Sequence, residues 1–267
     1  QSYIPSLSSA SMFYSRLSDN IALGSVDGSK QFKWKGINQT FKAGYMTQAK
    51  SRTFNSRPFG LIGGSNTMNE LPADKIFAPG NIGITDGYNF TELSDKDYDY
   101  TASSLLNAGF LMLDNSFSEK FRLVWGVRYE NYNQQLSGFR SNQPVNLDHN
   151  TGDILPSMNL TYKYSNTTNL RFCASQTVIR PEFRELSPFT FYDFEILAAV
   201  QGNPDLKRTK ITNLDLRYEL YPKNGELITA GVFYKHFTNP IEQFYNESGV
   251  HTFSFTYGNA PSAASSG

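Results

Sequence analysis

The sequence predicts an all-β chain, an antiparallel up-and-down meander of about eight long strands. Three observations lead there. Apolar and polar residues alternate with a period of two along one segment after another. Aromatic residues are 15% of the chain, with 21 Phe and 16 Tyr. Short polar turns alternate with long irregular connections. Aromatic and β-branched side chains suit pleated, half-buried surfaces, and turns rich in Asn, Gly, Ser and Pro fold each strand back on its neighbour.

Taken in order, strands are expected near 30–55, 101–116, 121–136, 155–164, 169–179, 208–221, 226–245 and 251–258, within a single partial-barrel domain covering 1–267. In "TFKAGYMTQAKSR", Phe41, Ala43 and Tyr45 oppose Lys42, Gly44, Gln48, Lys50 and Arg52. "RLVWGVRYE" places Leu123, Trp125, Val127 and Tyr129 on one face and Arg122, Gly126, Arg128 and Glu130 on the other. In "SMNLTYKY", Met158, Leu160, Tyr162 and Tyr164 oppose Ser157, Asn159, Thr161 and Lys163. "NLDLRYEL" sets Leu214, Leu216, Tyr218 and Leu220 against Asn213, Asp215, Arg217 and Glu219. Tight turns are expected at 114–120, 164–169 and 221–226, and long connections at roughly 58–99, 138–153 and 179–206.

Two environments accept such strands. A soluble sandwich turns the apolar face inward, whereas a transmembrane β-barrel turns it to lipid and lines a wet lumen with the charged face. Three details favour the barrel. The strands, at about 10–16 residues, exceed the usual soluble length of about five or six. Tyr162, Tyr164, Tyr218 and Tyr221 collect at the turn ends, where an interfacial girdle belongs. Short turns at one end and long loops at the other are the third. Charge agrees: 24 basic and 24 acidic side chains cancel, so no field draws nucleic acid, and a neutral surface facing water would invite self-association.

No apolar run is long enough for a transmembrane helix. Gln1 opens no basic and apolar leader, so a signal peptide is expected upstream or already removed. One cysteine, Cys173, excludes an internal disulfide and a cysteine-based zinc site. His149, His236 and His251 are scattered singly, without metal spacing. Asp95, Asp97 and Asp99 of "DKDYDY" lack the glycine and terminal glutamate of a calcium loop and read as solvated. "GLIGG" at 60–64 has no following Lys-Ser/Thr, so it is not a phosphate loop. Nothing assembles a nucleophile, a base and an orienting acid, so neither a catalytic activity nor a cofactor is expected.

"RPEFREL" (180–186), "GNPDLKRT" (202–209) and "FYKHFTNPIE" (233–242), preceded by "LVWGVRYE" and "DILPSMNLTYKY", form an ordered set. Over roughly residues 40–260 the chain resembles the C-terminal half of the barrel of a TonB-dependent receptor of the Bacteroidota type. The resemblance implies a fragment of an outer-membrane active transporter whose complete barrel has 22 strands and an N-terminal plug. It further implies outer-membrane lipid, the plug, the TonB complex and a scarce nutrient as partners, with a surface lipoprotein as an optional one. Ferric chelates, cobalamin, oligosaccharides and peptides are the nutrient classes that relatives import. A soluble glycan-binding sandwich and a passive diffusion porin are the rival readings.

Two sets of site residues follow. Arg122, Arg128, Glu130, Arg171, Asp215, Arg217 and Glu219 are expected to face the lumen, pairing across the wall or touching the plug. In "RPEFRELSPFTFYDF", expected to be an extracellular connection, Arg180, Glu182, Phe183, Arg184, Phe189, Phe191 and Tyr192 are candidates for substrate contact. Arg180, Glu182, Arg184 and Glu185 would stand at strand height, with the aromatics folded over the rim.

Overall fold

The computed structural model describes residues 11–63, 70–85, 87–92, 96–188, 190–193, 198–223, 225–246 and 254–267. Nine strands form one continuous wall: β1 (Ser11–Trp34), β2 (Ile37–Gly63), β4 (Tyr100–Ser116), β5 (Phe121–Arg140), β6 (Gln143–Ser165), β7 (Thr168–Ile179), β10 (Thr209–Leu220), β11 (Ile228–Thr238) and β14 (Ser262–Ser266), each antiparallel to the next. A short β3 (Tyr88–Glu92) pairs with the far end of β2. A second sheet of β8 (Thr190–Asp193), β9 (Ala198–Gln201), β12 (Ile241–Asn246) and β13 (Ser254–Asn259) runs in the order β12-β13-β9-β8, and its β13 and β9 are parallel. The up-and-down meander is the fold of the wall, and β1 and β14 are its edges.

The wall departs from the expected strands at two tight turns. The segment expected as one strand at 30–55 is a hairpin turning at Lys35 and Gly36, both left-handed with φ of 51° and 80°. The expected long connection at 138–153 is instead paired strand, because β5 and β6 run on to a turn at Ser141 and Asn142, with φ of 51° and 61°. Two consecutive left-handed residues give the turn whose twist matches that of the flanking strands. The Asp97 carboxylate accepts hydrogen bonds from the backbone N–H of both Ser141 and Asn142. The expected strand at 226–245 breaks at Asn239–Pro240, where Asn239 is left-handed (φ 54°) and the chain leaves the wall for the second sheet. Of the expected 251–258 strand, residues 251–253 lie outside the described residues.

Register sorts the two faces of the wall, although β1 turns Leu17, Ile21 and Leu23 to the inner side. On the outer face Val26, Leu111, Trp125, Tyr129, Leu216 and Val232 are all between 47 and 69% exposed. Along β5 that apolar run extends from Phe121 to Tyr129 and stops at Asn131, a band about 20 Å tall for strands tilted by ~45°. Phe121 and Tyr162 stack near its inner-turn end, with centroids 4.6 Å apart, and Tyr164 meets Tyr162 edge-on.

The opposite face changes along its length. Beyond the apolar band it carries a packed core of Tyr100, Ala102, Leu136, Leu147, Phe183, Leu186 and Leu206, with Phe54, Ile241 and Tyr257 against it. The connections after β7 and β11 therefore fold inward onto the wall rather than outward into solvent. Gly202 shows how closely they fit: a Cβ there would collide with the Ser187 carbonyl oxygen and come within 2.9 Å of those of Arg184 and Glu185.

Candidate functional site on the inner wall

Cross-strand pairing brings all seven residues expected in the lumen onto the inner face. Arg122 pairs in register with Thr161, Thr161 with Arg171, and Arg171 with Arg217. Three arginines thus stand on one row around the wall. Arg122 forms a two-point ion pair with Asp114 at 2.6 and 2.9 Å. Arg171 donates to Glu219 at 2.9 Å, and the Tyr221 hydroxyl donates to the same carboxylate oxygen. Asp215 and Arg217 are exposed and form no ion pair among the described residues.

Arg128 and Glu130 belong to a larger cluster at the upper edge of the apolar band. Glu130 accepts from Arg128 Nε at 2.6 Å and from Arg180 at 2.7 Å. Arg180 also reaches Asp153 at 3.4 Å, and Arg208 Nε donates to Asp153 at 2.7 Å. The Asp153 side chain is only 1% exposed. The Arg180 guanidinium lies 4.6 Å from the centroid of the Tyr132 ring, where a desolvated cation gains from the π face. Three arginines and two carboxylates so placed, with Lys210 Nζ 3.8 Å from Asp153, compensate one another's desolvation. Removing one carboxylate would leave buried charge unpaired.

The segment that begins with Arg180 is a structural knot. Glu182 caps the helical turn Phe183–Leu186, its side chain accepting from the Glu185 N–H while its own N–H donates to Glu185 Oε2 at 2.8 Å. Burial raises the Glu185 carboxyl above its ordinary pKa against the lowering effect of that hydrogen bond. Phe183 is 2% exposed and lies under Lys50 and Arg52, at 5.4 and 5.5 Å from its ring centroid. Arg52 in turn grips Asp19 through two bonds of 2.5 and 2.6 Å. The "GNPDL" stretch closes the knot: Asn203 N–H donates to the Glu185 carbonyl at 2.6 Å, and its side chain donates to the Tyr257 carbonyl at 3.0 Å. Asn259 bridges the Lys207 and Asn239 carbonyls.

The loop candidates for substrate contact therefore fall into different places. Arg180 is engaged with Glu130 and Asp153, Glu182 is a cap, and Phe183 is core rather than rim. Arg184 is exposed. Phe189 lies outside the described residues, and Phe191 and Tyr192 are described only as backbone positions of β8. Asp19, Asp153 and Arg208 were not anticipated. Asp153 fell in a stretch expected to be loop, and Asp19 in a strand that was not expected. Among the described residues no cluster of His, Cys, Asp and Glu could hold a metal; Asp97 and Asp99 of "DKDYDY" both accept from backbone N–H groups, and Asp95 lies outside the described residues.

A wall of long antiparallel strands, apolar outside and charged inside, defines a β-barrel protein of the outer membrane. The chain belongs to the outer membrane protein beta-barrel family, whose profile matches residues 61–267. This membership excludes the soluble sandwich. No curated protein matches the sequence. Among solved structures it is similar to the ferric-catecholate import receptor Fiu of E. coli K12 in its closed form, with a TM-score of 0.58 and 16% identity over 93% of this chain and 34% of that one. The alcaligin outer-membrane receptor FauA of Bordetella pertussis gives 0.54 and 13% over 93% and 35%. A double mutant of the Serratia marcescens hemophore receptor HasR, in complex with its hemophore HasA and heme, gives 0.54 and 9% over 94% and 45%. The chain thus spans between about a third and just under half of these receptors, and the likeness is one of fold.

Proposed function

We propose that this chain is part of the barrel wall of a TonB-dependent active transporter, one that takes up a scarce nutrient across the outer membrane. The observation that carries the proposal is the inner face. Its outer end is filled by an inward-folded, charge-anchored knot, as suits a passage closed at rest. Support also comes from the fold shared with Fiu, FauA and HasR, each a receptor. The edges β1 and β14 have backbone groups that lipid cannot satisfy, so further strands of the same protein would complete the barrel, and a plug would sit against the inner wall.

In this reading the paired residues Arg122, Arg128, Glu130, Arg171 and Glu219 hold the wall together, while Asp215 and Arg217, exposed on the inner face, contact the plug. The knot residues Arg180, Glu182 and Phe183 shape the passage without touching substrate, and Arg184 remains a substrate contact. Energy would come from the proton gradient through the TonB complex, with no covalent chemistry required of the wall. Ferric chelates, cobalamin, oligosaccharides and peptides are the candidate nutrients.

The test is growth and uptake in a strain lacking the complete gene, with each nutrient class as sole source. Loss of uptake for one class, reproduced in the parent strain by a protonophore, is the expected result. Uptake that persists when the gradient is collapsed would make the protein a diffusion porin. Charge reversal at Arg217 tests the plug contact: it should raise permeability to small solutes or impair uptake, and if neither changes that contact is wrong.

A further inference from the structure

Above the apolar band, the outer face of β2, β4, β5 and β6 continues as exposed sheet. Its composition is unusual. At the outward positions in 47–55, 101–107, 131–137 and 146–150, Asp148 is the one ionisable side chain and most of the rest are amides and hydroxyls. The inner face of the same strands bears Arg52, Glu130 and Asp153. A surface that met only water would carry about a quarter to a third charged residues. Here charge is sorted to the inside.

The amides are also prearranged. Asn107 Oδ1 accepts from the hydroxyls of Tyr45 and Thr47 at 2.7 and 3.0 Å. Asn131 Nδ2 donates to Asn150 Oδ1 at 3.0 Å, and Asn133 and Gln135 both donate to Asp148, at 2.8 and 3.3 Å. Asn107 lies directly across from Asn131. Each pair fixes one end of an amide and leaves the other end, Asn107 Nδ2, Asn131 Oδ1 or Asn150 Nδ2, without a protein partner among the described residues. Fixed, uncharged donors and acceptors side by side are the complement of vicinal sugar hydroxyls, and holding them in advance lowers the entropy lost on binding.

We propose that this face packs against the saccharide of outer-leaflet lipopolysaccharide. The occupant follows from continuity: the amide surface begins where the lipid-facing band ends, at Tyr45 and Tyr129, and rises from there on the same strands. It lies at the depth of the sugars that sit on the lipid anchor. Among those outward positions Asp148, already doubly bonded, is the one group that would repel phosphate. The proposal rests on outer-membrane placement and not on the transport reading.

The complete protein in detergent is titrated with lipid A alone and with rough lipopolysaccharide carrying its core saccharide, and thermal unfolding is followed. The core-bearing lipid should raise the midpoint by at least about 2 °C more than lipid A. Asn131→Ala combined with Asn150→Ala should abolish that increment and keep the response to lipid A, which also reports that the variant is folded. Asn131→Asp, nearly isosteric, should reduce the increment if the double variant does not fold. Equal midpoints with the two lipids, or an increment that survives the substitutions, would overturn the proposal and leave the amides as a ladder internal to the sheet.

Discussion

At the scale of single residues, burial decides which charges matter. Asp153 is the carboxylate of Arg208 and is also reached by Arg180 and Lys210, so Asp153→Ala leaves Arg208 without a carboxylate and Arg180 with Glu130 alone, and should cost about 3 kcal/mol. Glu119→Ala, at an exposed position in the turn between β4 and β5, should stay within about 0.5 kcal/mol. Urea unfolding of the complete barrel checks the contrast; equal losses would contradict it. Glu185 has a pH signature. Its raised pKa means that the folded state holds the proton to higher pH than the unfolded state does, so its contribution to stability falls as pH rises through the interval between the two values. Glu185→Gln keeps an acceptor for the Glu182 N–H and removes the titration. The wild type should therefore lose stability relative to this variant as pH rises above the ordinary glutamate value of 4.5, and a constant difference would show that burial does not govern this carboxyl.

At the scale of elements, the alternating faces were legible and the tight turns were not. The seven inner-face residues were readable because each sits in a strand with clean alternation. Lys35–Gly36 and Ser141–Asn142 were missed because two-residue turns leave almost no polar stretch, and neither is Asn-Gly. The sequence did hold a subtler signal, a change of phase: the outward aromatics Phe32 and Trp34 are even-numbered, whereas Phe41 and Tyr45 are odd. The same inversion separates the buried Leu136 and Leu147 on either side of Asn142. The knot was invisible for another reason. Its partners, 50–54, 130–136, 180–187 and 202–206, meet only through tertiary contacts, and local pattern does not encode those. Gly202 is its most sensitive point. Gly202→Ala should expel the helical turn from the core, seen as proteolytic cleavage within 180–208 while the wall stays resistant. Unchanged resistance would mean that the turn can shift to admit a methyl group.

At the scale of the whole molecule, one sheet serves two solvents. Lipid meets the apolar band, and the wet interior meets arginines and carboxylates that neutralise one another, which is why a chain with no net charge can still carry 48 ionisable acidic and basic side chains. Above the membrane the inner face stops being wet, because the connections fold back onto it. Under the proposed function the complete protein is closed at rest and opened by work. Conductance of the purified complete protein in a planar lipid bilayer tests this most directly. A silent bilayer without an energy source is the predicted result, and a steady open conductance from the unmodified protein would contradict the account.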